Sequence, residues 1–260
     1  MLVYPQLTTG ALSQFPVIRK RNSRTVVNSA ADGSRVIYAD TTGGTVLWRL
    51  TYTGLSDIEL NALQTFHAAA EGSLNGFTFL DPAANLLSWS EDLTNACWAV
   101  APLLNVTGGV ADPNGGIAAW HVSNTGAGPQ SVTQTLNAPA GYLFCFSVYV
   151  RSAQVATVTL LSGANRVSQV VGPTWNRIAL ARPGDAGASS IAVGIELPAN
   201  SAVDLFGPQV EAQAAASPYM ASTTGGVYEN ARFLDDKFRF TTTDVNRHTT
   251  TLTVFYANHL

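Results

Sequence analysis

The chain is short of charge. Lys, Arg, Asp and Glu together make 12% of its 260 residues, against about a quarter in an average globular domain. The hydrophobic share is 46%, so this is not the high-charge, low-hydrophobicity composition that keeps a chain disordered. Ser, Thr, Asn and Gly must cover the surface, a habit of extracellular and viral β-proteins. The net charge of −3 gives no basic field to gather nucleic acid. The one basic run, Arg19-Lys20-Arg21 with Arg24, reads as a solvated or interface face. Two cysteines, Cys97 and Cys145, are too few for a disulfide scaffold and offer no metal-ligand spacing. Cys145 lies in the apolar run Tyr142–Val150, where a buried thiol is expected. No apolar run reaches the roughly 18 residues of a membrane-spanning helix. The start, MLVYPQLTTG, lacks the charged leader and apolar stretch of a signal peptide, so none is expected.

Catalytic signatures are missing as well. There is no G-x-S-x-G, no Walker loop and no G-x-G-x-x-G. His67, His121, His248 and His259 stand at no metal-ligand spacing from one another or from a cysteine. His67 reads as helix packing or surface. Asp235-Asp236, beside Arg232, Lys237 and Arg239, reads as a salt-bridged loop. Glu91-Asp92 are adjacent, and neighbours on an extended chain point to opposite faces, so they would not flank one glycosidic bond. The chain is expected not to be an enzyme.

What is present divides the chain in three. Residues 1–84 hold six basic and six acidic residues, and 226–260 hold four of each. The middle, 85–225, has four Arg, no Lys and seven acids. The first segment predicts strands around one helix. Arg24–Ser29 and Arg35–Asp40 flank Ala30-Ala31-Asp32-Gly33, an Asp-Gly turn signal. Val46, Trp48, Leu50 and Tyr52 alternate as on a half-buried strand. Ser56 and Glu59 form a capping box for a helix at about 57–71, with Leu60, Leu63 and Phe66 or His67 at helical spacing and Gly72 as its stop. Gly76–Leu80 is the next strand. The middle predicts short strands at 118–123, 130–136, 142–151, 154–162, 166–171, 175–181, 189–196 and 202–207, the spacing of an antiparallel jelly-roll β-sandwich. At the end, Lys237–Thr242 and His248–Tyr256 alternate about the turn Asp244–Asn246. Two such strands cannot bury enough surface alone. The expected fold is therefore mainly β: a discontinuous domain, 1–84 with 226–260, and an inserted β-sandwich, 85–225.

Particular motifs resemble known families. Trp48–Tyr52, Gly54–Glu59, Leu63, Phe66, Gly72 and Phe77–Pro82, with Arg232-Phe233, Phe238–Phe240, Arg247–Thr250 and Leu252–Val254, are similar to the distal tail and minor tail (tail-tip) proteins of long-tailed bacteriophages. The resemblance implies a split β-barrel with one α-helix. It also implies a homo-oligomeric ring, a hexamer, that joins the tail tube protein to the tail hub protein. The implied location is the virion's tail tip, after synthesis in the bacterial host cytoplasm. The middle resembles the carbohydrate-binding-module-like sandwiches of phage tail proteins through Asn85–Trp98, Phe146–Ser152, Trp175–Arg177, Phe206–Glu211 and Ser217–Tyr219. It departs from them in its lack of Lys and in Trp120-His121. It implies an outward module that touches host-surface carbohydrate; the charge and the short apolar runs already lead us to expect no nucleic acid partner and no membrane insertion.

Sugar binding needs aromatic faces and polar side chains. Trp120, His121, Tyr149 and Arg151 are the candidates. Phe146, Val148 and Val150 share one strand face that reads as core, leaving Ser147, Tyr149 and Arg151 on the other. Tyr149 and Arg151 either meet a glycan or simply cover the sheet. Trp120 shares parity with Val122, which also fits a core position. Trp89, Trp98 and Trp175 are assigned to the core. Glu91, Asp204 and Glu211 would offer hard oxygen ligands to a structural Ca²⁺ of the kind such sandwiches hold, without EF-hand spacing. No other cofactor is expected. Residues 1–24 read either as an arm laid on a neighbour or as an edge strand of their own sheet. The rival functions are a carbohydrate-binding adhesion protein outside any tail and a glycan-cleaving enzyme.

Overall fold

A computed structural model describes residues 2–257, apart from the side chains of residues 41 and 42. His259 lies outside the described residues. The chain forms two compact units. The first comprises the residues up to Leu7, Ser13–Phe79 and the chain from Tyr228; the second comprises Thr8–Leu12 and Leu80–Val227.

The first unit holds β1 (Val17–Ser29), β2 (Arg35–Leu55), the helix α1 (Asp57–Ala69) and β3 (Phe77–Leu80), then β14 (Val227–Phe233), β15 (Phe240–Asp244) and β16 (Arg247–Ala257). The sheet order is β1-β2-β16-β14-β3, with β15 on β16. It is open: among the described residues no barrel closes. The reason is visible at β1, which pairs with β2 alone and runs on with it as a two-stranded ribbon.

The alternation of β2 is realised. Val46, Trp48, Leu50 and Tyr52 are buried, while Arg49 and Thr51 face solvent. The helix begins at Ser56, whose hydroxyl accepts from the Glu59 N–H while the Glu59 carboxylate accepts from the Ser56 N–H. Such a cap stabilises a helix by about 1 kcal/mol. Its buried stripe, Leu60, Leu63, Phe66 and His67, covers a ring cluster. Tyr4 meets Phe66 edge-on at 5.6 Å and Phe79 at 5.4 Å, and Phe66 meets Phe77 at 5.1 Å. Fully buried rings of this size contribute on the order of 2 kcal/mol each. His67 belongs to this packing: its ring lies 4.8 Å from Phe233 and its Nε2 is 3.1 Å from the Asp235 carbonyl oxygen.

The second unit is a β-sandwich of ten strands: β4 (Ala99–Val100), β5 (Leu104–Val110), β6 (Ala119–Asn124), β7 (Gln130–Leu136), β8 (Leu143–Arg151), β9 (Ala156–Ser162), β10 (Asn165–Val171), β11 (Asn176–Pro183), β12 (Ile191–Leu197) and β13 (Ala202–Glu211). They form two five-stranded antiparallel sheets, β10-β9-β12-β7-β4 and β11-β8-β13-β6-β5. Val132, Val158, Leu160, Val193 and Ile195 are buried on the first sheet, and Val122, Phe146, Val148, Val150 and Leu205 on the second. Cys145 is buried, and burial pushes its thiol up to about 11. Both cysteines are free thiols.

Candidate functional site

In the second sheet of the sandwich, β13 lies between β8 and β6, and its register sets Asp204 beside both Arg151 and His121. The carboxylate serves both. Oδ1 is 2.9 Å from His121 Nδ1, and Oδ2 accepts from Arg151 Nε at 2.9 Å. The Arg151 guanidinium also lies over the Trp175 ring, 4.7 Å from its centroid. Part-exposed ion pairs of this kind add only about 0–1 kcal/mol each, so the main effect is to fix three side chains in a row. Trp175 is half-buried, not a core residue as expected, because its face carries that guanidinium.

Tyr149, two residues before Arg151, is half-buried. The Arg177 guanidinium sits 5.3 Å from its centroid and Phe206 packs at 6.0 Å. Arg177 is held in turn by the Ser217 carbonyl and Ser147 Oγ. Tyr149 thus lies under a cover of its own. Trp120 departs from the expected set. It turns inward, lining the space between the sheets with Leu93, Trp98, Val132, Phe146 and Leu205, and its Nε1 donates to the Glu91 carbonyl at 3.0 Å. Alternation along β6 puts His121 on one face and Trp120 on the other.

An open cavity of about 670 Å³ adjoins the row, walled by His121, Ser152–Thr157, Pro198 and Asn200–Asp204. Its rim carries the exposed side-chain amides of Gln154 and Asn200. Ser152 anchors one wall to the other by donating from Oγ to the Ala202 carbonyl at 2.9 Å. The lining mixes apolar residues, Val155, Pro198 and Val203 among them, with His121, Asp204 and the two amides, which suits a ligand with both an apolar face and groups that donate and accept.

The three expected Ca²⁺ ligands do not meet. Asp204 is committed to Arg151 and His121. Glu211 is buried and accepts from Gln209, Gln213 and Ser217. Glu91 Oε1 accepts from the Tyr219 hydroxyl at 3.3 Å. Among the described residues no group of three His, Cys, Asp or Glu side chains could hold a metal ion. Asp204 and Glu211 lie near opposite ends of β13, and Glu91 lies in a turn outside it.

A second groove, of about 320 Å³, is lined by Trp89, Glu91, Asp92, Ala221, Ser222 and Thr223. Here Trp89, expected in the core, is 42% exposed and takes a left-handed backbone, φ 47°. A bulky residue in that region costs about 1–3 kcal/mol. Hydrogen bonds hold it there: the Trp89 carbonyl accepts from Trp98 Nε1 and from the Asp92 N–H, both at 3.0 Å. Sequence reasoning missed this ring. The signal was its setting, Ser88-Trp89-Ser90-Glu91-Asp92, too polar for a core segment.

The chain matches no protein-family model and no curated protein. Among solved structures it is similar to the family 22 xylan-binding domain of Paenibacillus barcinonensis Xyn10C, at 17% identity and TM-score 0.40, over 51% of this chain and 96% of that one. TmCBM61, solved with β-1,4-galactotriose, is similar at 12% identity and TM-score 0.37, over 48% and 97%. The enzymatically active domain of bacteriophage CBA120 tailspike protein 4 is similar at 17% and 0.40, over 51% of this chain and only 22% of that one. With TM-scores below 0.5 and identities below 25%, none of these likenesses transfers a function to this chain.

Proposed function

We propose that the second unit is a non-catalytic carbohydrate-binding module, carried by the first unit as part of a bacteriophage-type tail tip. The observation behind the binding role is the open cavity beside the His121–Asp204–Arg151 row. Sugar hydroxyls donate and accept at once. A fixed carboxylate, an imidazole and two exposed amides around one cavity match that chemistry, since affinity follows groups already held in place. Asp204 is spent on its two partners and has no second free carboxylate across the cavity, so the wall can bind a glycan without the acid pair that hydrolysis uses.

The test is a glycan array of bacterial surface polysaccharides. The wild-type protein should retain specific glycans, and Asp204→Ala should weaken those seated in this cavity by about tenfold or more. Its melting temperature should change little, because the lost ion pairs are part-exposed. A wild-type protein that binds no glycan would refute the module, and an Asp204→Ala variant that binds all of them unchanged would refute this cavity as the site.

The tail-tip reading is favoured by the β1–β2 ribbon. Val27 is 49% exposed, Val36 61%, Ile37 64% and Tyr38 46%. The register sets Val27 opposite Ile37 on one face and Val36 and Tyr38 on the other. A two-stranded ribbon with apolar groups on both faces is marginal alone and invites a partner strand or sheet. We assign that role to neighbouring copies in a ring, a hexamer, between tail tube and tail hub proteins. Native mass spectrometry should find a closed oligomer, and Val36→Ser/Ile37→Ser/Tyr38→Ser should release monomers that keep their glycan binding. Glycan binding by a wild-type protein that stays monomeric with its tail partners present would favour an adhesion protein outside any tail.

A further inference from the structure

We infer that the second unit carries a separate sugar-stacking subsite on Trp89, fitted to a hexopyranose that bears no negative charge. The inference rests on the proposal that this unit binds carbohydrate, but it uses a different groove and different residues.

Trp98, nine residues on, is buried, and its indole N–H is spent on the Trp89 carbonyl. Trp89 is the tryptophan that the second unit leaves to solvent, 42% exposed in a groove of about 320 Å³. That volume is at the small end of ligand pockets, room for one or two sugar rings. The backbone that carries the indole is also held in place. The Trp89 N–H donates to the Thr223 carbonyl at 3.3 Å, and the Ser90 N–H donates to the Ser222 carbonyl at 2.9 Å. The Ser222 N–H returns a bond to Ser90 Oγ at 2.9 Å. Both walls of the groove are therefore laced together, and the backbone that presents the ring is fixed before any ligand arrives.

Charge selects the ligand. Glu91 and Asp92 line the groove, and neither Lys nor Arg does. Asp92 Oδ1 is occupied by the Thr94 N–H and hydroxyl, at 3.0 and 2.6 Å. Among the described residues the Glu91 carboxylate meets only the Tyr219 hydroxyl, at 3.3 Å, and so is the acceptor left for a sugar hydroxyl. A pyranose would lay its C–H face on the indole and turn a hydroxyl toward Glu91. An amino sugar would add the attraction of an ammonium for the ring and the carboxylates. A uronate would meet repulsion.

The experiment titrates the full chain with a neutral β-1,4-linked galacto-oligosaccharide, a glucosamine oligomer and an oligogalacturonate, following tryptophan fluorescence and heat. The first two should bind and the third should not. Trp89→Gly should weaken binding by about tenfold or more, Trp89→Phe should keep most of it, and Asp204→Ala should leave it unchanged. Glycine accepts the left-handed backbone, so Trp89→Gly should melt no lower than the wild type, and its loss of binding could not be blamed on unfolding. Binding by Trp89→Gly equal to the wild type overturns the subsite, as does tight binding of the galacturonate or no binding of any probe. Loss with Asp204→Ala but not with Trp89→Gly would remove this inference and leave the first cavity standing.

Discussion

Gly194→Ala should leave the second unit unable to reach its native state. Gly194 lies in β12, paired with Thr133 of β7 on one side and Leu161 of β9 on the other. A Cβ built there would stand 2.0 Å from the Val132 carbonyl oxygen and 2.8 Å from the Thr133 Cα. Both are backbone atoms of a neighbouring strand, so no side chain can swing aside. The strands would have to part, breaking ladder hydrogen bonds in the middle of the sheet. The cost should exceed about 4 kcal/mol, a large part of the roughly 5–15 kcal/mol that stabilises a domain. Soluble yield and urea denaturation measure it. Gly128→Ala, which meets nothing within 4 Å, is the control and should be near neutral. An alanine at 194 with the wild-type urea midpoint would show that the β7–β12 pairing is not as described.

Glu211→Ala should be the next most damaging change, at about 3 kcal/mol. Glu211 ends β13 and is only 5% exposed. Its carboxylate accepts from Gln209 Nε2 at 2.8 Å, Gln213 Nε2 at 3.0 Å, the Ser217 N–H at 3.0 Å and the Ser217 hydroxyl. Alanine would leave these donors short of an acceptor in a buried setting, where an unmet charged-group bond costs about 1–3 kcal/mol or more. Ser217 would also lose its anchor, and its carbonyl is what holds Arg177 over Tyr149. Thermal denaturation with and without calcium tests this. The wild type should melt at one temperature in both, and the variant should melt lower in both. A calcium-dependent rise in the wild type that vanishes in Glu211→Ala would return the residue to the role of metal ligand.

Much of this architecture was legible in the residues. The capping box at Ser56 and Glu59 and the alternation from Val46 to Tyr52 are local codes, and local codes survive folding. The strands of the sandwich core were legible because their apolar runs are long. β4 and β5 were not: β4 has two residues, and β5, LNVTGGV, is mostly exposed and interrupted by two glycines. β14 was missed because its register with β16 extends over only Arg232 and Phe233, too little to impose a pattern. The candidate site was half legible. Parity placed Tyr149 and Arg151 on one face, but nothing local told that Asp204 would bind both Arg151 and His121, since that depends on which strands become neighbours. Trp89 was hidden for a related reason, because its exposure depends on a backbone angle rather than on hydrophobic periodicity.

The Asp81 N–H donates to the Gly226 carbonyl at 2.8 Å. That bond pins together the two ends of the inserted segment, and with it the order in which the chain can fold. Once pinned, some 140 residues count for the first unit as a tight loop. Were they unfolded, closing that loop would cost about 3 kcal/mol more, by the logarithmic growth of loop entropy with length. The insert is continuous in sequence but for a short N-terminal stretch, and it can close as it leaves the ribosome. The first unit cannot, because β16, the final described strand to be synthesised, is the one that slots between β2 and β14 in the middle of its sheet. The insert can therefore be finished before the unit that carries it, and an unfolded insert leaves that unit a longer loop to close.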